Sequence, residues 1–196
     1  KARCKILKFN IVCNIPGGGL MKRKIKCSID ELDIAIAEIE EYRLNLHERL
    51  KTLLQRLAEE GIDTATVKFK HAVYDGDNDV AVRPVPVWNG DYKLTISASG
   101  ETILFIEFGT GVHYGGGHPK AGEFGFTLGG YGSHLGRLDS WRYDGLPGTN
   151  GEVIRVGKHA GQIKTHGNPA NRAMYDAGKS IQENYKKIAR EVFKND

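Results

Sequence analysis

A chain of 196 residues with 40% apolar and 27% charged residues is long enough to bury a core and has the composition of a globular domain. No apolar run approaches the ~20 residues that a membrane-spanning helix needs, so none is expected. The formal charge of +4 is matched by Lys1, Arg3, Lys5 and Lys8, which sit in a stretch without acids. The remainder is balanced and gives no overall electrostatic footprint for nucleic acid.

Residues 1–20 read as a non-native or flexible leader. Their apolar patch at residues 9–12 is too short for a signal peptide and is followed by Cys13 and Asn14. Pro16 and three glycines come shortly before Met21, the pattern a purine-rich ribosome-binding site leaves when read in frame. Met21 is therefore the expected natural start, with a genuine flexible arm as the alternative. An N-terminal peptide from within residues 1–20 in the naturally produced protein would sink that expectation. Cys4, Cys13 and Cys27 match no zinc spacing and build no disulfide framework, which points to a reducing compartment.

Ser28-Ile-Asp-Glu31 forms a capping box, and a helix is expected from there to Glu60 with Gly61 as its stop. Leu32, Ile36, Ile39, Leu46, Leu50, Leu53 and Leu57 recur at four- and three-residue steps, with Arg43 in one seam position. At 1.5 Å per residue the helix is roughly 45–50 Å long, more than one small sheet needs to be covered. Either it buries a single stripe in its own domain, or part of the stripe packs on a neighbouring subunit. Leu44 and Leu54, off the main seam, point to the second.

Four strand-like segments follow. Residues 64–74 alternate Val67, Phe69, His71 and Val73 with polar or small neighbours. Residues 75–79 are a turn cluster resembling the start of a calcium loop, but without its spaced ligands and terminal glutamate. Residues 80–88 are extended, and Pro84 and Pro86 restrict them to a sheet edge or an arm. Asn89-Gly90 signals a hairpin, residues 92–98 alternate again, and residues 102–112 complete the set as an apolar strand that ends in Gly109-Thr110-Gly111.

Residues 109–167 hold most of the chain's 25 glycines. A loop this long is functional or disordered when alone. It carries Tyr114, Phe124, Phe126, Tyr131, Trp141 and Tyr143 and a short strand-like piece at residues 152–156, so it reads as a segment that orders against a partner. Asn168-Pro169 places a cap and a first helical residue ahead of a last helix with Ala170, Ala173, Met174, Ala177, Ile181, Tyr185, Ile188 and Val192 on one face. The order predicts an α+β domain over residues 21–196: a long N-terminal helix, a four-stranded mainly antiparallel meander, a long glycine-rich loop and a C-terminal helix.

Several chemistries compete for the loop. His113, His118, His134, His159 and His166, with Asp139 or Asp144, offer ligands for a metal-dependent hydrolase or nuclease, but no pair has zinc-site or metalloprotease spacing. Gly115-Gly-Gly-His118 and Gly109-Thr-Gly111 lack the Gly-Lys-Ser/Thr ending of a phosphate loop. Glu107 stands alone in an apolar run, where acid–base catalysis requires a second positioned group. An ion pair with a basic residue of the same or a neighbouring chain is the expected role. Arg137, Trp141, Arg142 and Tyr143 fit stacking on single-stranded nucleic acid and equally fit a protein interface.

Phe105-Ile-Glu-Phe-Gly-Thr-Gly111 resembles the signature of the tail-component family of long-tailed bacteriophages, the tail-completion or head–tail joining proteins. Residues 167–174 and 189–193 resemble the family's terminal helix start and its acidic–basic end, and the leading helix fits as well. The likeness spans about residues 21–111 and 167–194, with an insertion at about residues 112–166. It implies a non-enzymatic virion part without cofactor or metal. Such a part forms a ring, commonly sixfold, in the neck, and resides in the host cytoplasm during assembly. The implied partners are copies of itself, a head–tail connector or adaptor protein, a tail-tube or tail-terminator protein, and genome DNA crossing the lumen without sequence reading; no membrane is involved. Expected subunit or partner contacts are Glu107, Phe108, Gly109, Thr110 and Gly111 in the motif, Phe124, Phe126, Tyr131, Trp141 and Tyr143 in the loop, and Leu44 and Leu54 on the helix.

Overall fold

The computed structural model describes residues 5–12, 29–90, 92–114, 117–126, 130–131, 134–135 and 139–194. The elements are β1 (Lys5–Val12), α1 (Ile29–Lys70), β2 (Ala81–Val82), β3 (Val87–Trp88), β4 (Lys93–Gly100), α2 (Ile103–Phe108), β5 (Gly130–Tyr131), β6 (His134–Leu135), β7 (Trp141–Tyr143), β8 (Glu152–Val153), β9 (Ile163–Thr165) and α3 (Ala173–Phe193). The class is α+β, with a long N-terminal helix, antiparallel strands and a C-terminal helix. None of the described helices is long and apolar enough to cross a membrane.

α1 runs for 42 residues, about 63 Å, and passes straight through Gly61. The expected stop at Gly61 and the expected strand at residues 64–74 are therefore both corrected. In its second half Leu53, Leu54, Leu57, Ala58, Ile62, Ala65 and Phe69 are buried, a helical spacing, while Val67 is exposed. The alternation of Val67 and Phe69 was incidental to that longer period. Gly61 serves close approach instead. A Cβ there would lie 2.6 Å from Ile181 Cδ1 and 2.7 Å from Ile96 Cδ1, so its absence lets α1 settle on both α3 and the sheet. The capping box at Ser28 lies outside the described residues.

α3 packs antiparallel on the second half of α1. Lys68 pairs with Asp176, Glu60 Oε1 accepts from Ser180 Oγ at 2.6 Å and Asn184 Nδ2 at 2.9 Å, and Arg56 meets Glu191 at 2.6 Å. Ala173, Met174, Ala177, Ile181 and Ile188 meet the α1 stripe together with Leu94, Ile96 and Ala98 of β4 and Ile103 and Ile106 of α2. Each large apolar side chain so buried stabilises the fold by about 1.5–3 kcal/mol. With 21 residues, about 31 Å, α3 covers half of α1 and no more.

β4 is the centre of the main sheet. β1 pairs along its full length from Lys5↔Gly100 to Val12↔Lys93, within the stretch expected as a leader. β2 and β3 take the other edge opposite Ser99–Ala98 and Thr95–Leu94. Pro84 and Pro86 lie between these two short pieces, as the expected edge position requires. Asn89 N donates to Lys93 O at 2.8 Å and closes the expected hairpin.

The fourth expected strand is a helix. Residues 103–108 form α2, which buries Ile103, Ile106 and Glu107 at i, i+3 and i+4. A short apolar run bounded by turn signals has no period that separates a buried strand from a buried helix, and here the helix wins. The inserted loop also has a framework of its own: β7, β9 and β8 form a three-stranded antiparallel sheet in that order, and β5 pairs with β6.

Candidate functional site

α3 begins at Ala173, five residues after the expected cap at Asn168. Its N-cap residue, Arg172, has φ 58° and no side-chain cap. The first turn of a helix leaves amides that need acceptors. Glu107 supplies them from α2. Its Oε2 accepts from Met174 N at 3.0 Å and its Oε1 from Tyr175 N at 3.0 Å. The carboxylate sits at the positive end of the helix dipole, where a negative charge is stabilised.

His118 completes the arrangement. Lys120 N donates to His118 Nδ1 at 3.0 Å, so that nitrogen carries the lone pair, and Nε2–H then donates to Glu107 Oε1 at 3.3 Å. Both side chains are almost wholly buried. Glu107 thus meets a basic side chain of its own chain, His118, and serves in addition as the cap of α3. Both carboxylate oxygens and both ring nitrogens are engaged within the chain, and both side chains also line an adjoining cavity. The site ties α2, α3 and the residue 118–120 turn together.

The rest of the motif continues the clasp. Asn171 N donates to Ile106 O at 2.9 Å and Arg172 N to Glu107 O at 3.1 Å. Thr110 and Asn168 exchange backbone hydrogen bonds at 2.9 and 3.2 Å, and Thr110 Oγ1 donates to Asn168 Oδ1 at 2.6 Å. Asn168 Nδ2 reaches Phe105 O at 3.0 Å, capping α2 rather than starting α3. Gly109 has φ 78°, and a Cβ on it would lie 2.6 Å from Ala170 N, so only glycine fits that crossing. Gly111 lies directly against His166 and Gly167.

The acidic turn cluster works the same way. Asp79 Oδ1 accepts from Thr102 N at 3.1 Å and Thr102 Oγ1 at 2.5 Å, which caps α2, and Asn78 Nδ2 reaches Phe69 O at the end of α1. Asp75 is buried and accepts from Asn150 N at 2.8 Å and Thr165 Oγ1 at 2.6 Å, tying the small sheet to the body. The expected turn cluster at residues 75–79 thus also anchors elements far along the chain.

Of the expected contact residues, Phe108 and Phe126 are buried and stack with centroids 4.8 Å apart, and Phe124 tilts against Phe108 at 5.0 Å. Phe124 alone of these three is exposed. Trp141 and Tyr143 line a cavity of about 290 Å³ with Tyr74, Asp75, Phe105 and Thr165. Burial, reinforced by Tyr143, Asp79 and Asp75, pushes the Tyr74 hydroxyl up to about 12; burial and then Asp75 also raise Tyr143. These phenols are neutral at physiological pH. Leu54 is wholly buried in the chain's own core and so has no partner-facing surface, whereas Leu44 is exposed. Tyr131 pairs with His134 through its backbone, and its side chain lies outside the described residues.

A second cavity of about 430 Å³ opens beside the clasp, lined by Phe108, His118, Lys120, Phe124, Tyr175 and Lys179. Of the loop histidines, His113 and His166 meet at Asp139, on the exposed side of the clasp. His159 is held by Gln162, and the side chain of His134 lies outside the described residues. The helix-capping roles of Asp79, Asn168 and Glu107 had no local sequence signal, because each caps a helix or turn that begins elsewhere in the chain.

No protein-family model, curated protein or solved structure matches the chain.

Proposed function

We propose that the chain is a non-enzymatic structural subunit of a bacteriophage neck, assembling as a ring that completes the tail and joins it to the head connector. The observation that carries this reading is the overhang of α1. α3 ends beside Leu46 and Arg49, with Phe193 against them, and the helix continues beyond for four turns. On that overhang Leu32, Ile36, Ile39 and Leu44 are 47%, 55%, 59% and 61% exposed. A row of large apolar side chains on a protruding helix marks an interaction surface.

The occupant is a second copy of this chain. The overhang carries exposed Asp30, Asp33, Glu40 and Glu41, and the exposed end of α3 carries Lys186, Lys187, Arg190 and Lys194. Two different surfaces of opposite sign on one subunit suit head-to-tail association, which closes into a ring when the rotation allows. The resemblance of residues 105–111 to the tail-component signature supports the same reading, and the clasp explains that motif without catalysis.

Sedimentation and electron microscopy across a concentration series test it, with and without a tail-tube or connector protein. Rings of the intact chain are expected, reduced to monomers by Ile36→Asp with Ile39→Asp, whose folded monomer is verified by circular dichroism. A wild-type chain that stays monomeric with every such partner, or rings untouched by the double substitution, would overturn the proposal.

A further inference from the structure

We propose that His113, Asp139 and His166 form a binding site for a divalent first-row transition metal, zinc being the cellular ion that its donors fit. The three residues come from separate segments, and their ligand atoms all lie within 4.8 Å of one another. His113 Nε2 lies 2.6 Å from Asp139 Oδ1, and His166 Nδ1 lies 3.5 Å from Asp139 Oδ2. Ligand atoms at tetrahedral zinc lie about 3.4 Å apart, a spacing that small side-chain rotations reach from a cluster no wider than 4.8 Å. Two imidazoles and a carboxylate suit zinc, cobalt or nickel, and they disfavour magnesium and calcium, which take oxygen donors.

Without metal, Asp139 accepts from both rings, including its backbone oxygen from His166 Nδ1 at 3.0 Å. Moving each ring proton to the far nitrogen turns the same two nitrogens into lone-pair donors. All three side chains are exposed enough for an ion to enter without unfolding. The remaining coordination position is open to water or to a group from a neighbouring subunit.

The location gives the ion a purpose. His113 follows the clasp residue Gly111 by two positions, and His166 immediately precedes Gly167, which packs on Thr110. A metal there closes the whole insertion at its neck and ties in Asp139 at the start of the small sheet. An ion that binds only when both ends of the loop are together offsets the entropy cost of holding them so. The site is a staple and needs no catalytic partner.

Calorimetric titration of the full chain with zinc, and visible spectroscopy with cobalt, test the assignment. One equivalent is expected to bind, weakened at least about tenfold by each of His113→Ala, Asp139→Asn and His166→Ala, and unchanged by His159→Ala. Cobalt should show ligand-field bands without the near-ultraviolet charge-transfer band of thiolates, which separates this site from Cys4, Cys13 and Cys27. Hydrogen exchange should slow at residues 111–114, 139–143 and 163–167 on addition of zinc. The three substitutions are on exposed side chains, and an unchanged melting curve without metal checks their fold. No saturable binding, thiolate bands only, or binding indifferent to all three substitutions would overturn the proposal.

Discussion

Glu107 holds two first-turn amides of α3 and the ring of His118, with its side chain almost wholly buried. Glu107→Gln keeps the size but turns an amide NH₂ toward groups that are themselves donors. Leaving a buried donor unsatisfied costs about 1–3 kcal/mol. For a chain of this size each kcal/mol lowers Tm by about 2–4 °C. Thermal denaturation of Glu107→Gln checks this, and an unchanged Tm would remove Glu107 as the cap. Asp79 makes a second residue-scale prediction. Burial works to raise its carboxyl, but hydrogen bonds from the Thr102 hydroxyl and the amides of Glu101 and Thr102 outweigh it and hold it below 3.8. A depressed folded pKa means that the stabilisation is complete above the unfolded value and is lost as pH falls through the lower folded one. Wild type should therefore exceed Asp79→Asn in stability at neutral pH by about 1 kcal/mol, the ordinary worth of a cap. The gap should shrink below 3.8 in an acid titration of both proteins.

Among the elements, α1 shows most clearly how a local signal can mislead. A glycine near the end of a periodic run reads as a stop, yet Gly61 lies mid-helix because Ile96 and Ile181 need the space a side chain would take. Gly61→Val adds a branched side chain at that contact and should destabilise by about 1–3 kcal/mol through overpacking. Were Gly61 a helix terminus, valine there would leave the packing of Ile96 and Ile181 untouched. Urea unfolding, with helicity followed at the same time, separates the two. α2 makes the complementary point. Its apolar run was visible in the sequence, but its helical state depends on Asp79 at its start and Asn168 at its end, residues 22 or more positions away.

At the scale of the molecule, a two-helix core under one small sheet is anchored by side chains that cap distant elements. Among the described residues, the apolar overhang of α1 and the His113–Asp139–His166 cluster stand apart from this network. The first carries the assembly proposal and the second the metal proposal, and each is tested without the other. Ring formation is measured by mass, and metal binding by heat and colour. The two meet if the open coordination position is filled by a neighbouring subunit, in which case zinc should shift the ring–monomer balance of the wild type but not that of His166→Ala.

The amino-acid sequence by itself determined the α+β class, the long leading helix, the proline-limited edge, the Asn89-Gly90 hairpin and the last helix. Each of these rests on spacing or turn chemistry within a few residues. It also singled out residues 102–112, the apolar run that ends in Gly109-Thr110-Gly111. Only the tertiary structure decided that residues 64–70 and 103–108 are helical, that Phe108, Phe126 and Leu54 are spent on the chain's own core, and that Glu107 is a cap. Only the fold brings His113, Asp139 and His166 within reach of one ion. The physical reason is common to all of them. Short segments take the conformation that lets buried amides, carbonyls and carboxylates find partners, and those partners lie far along the chain, where no local pattern can announce them.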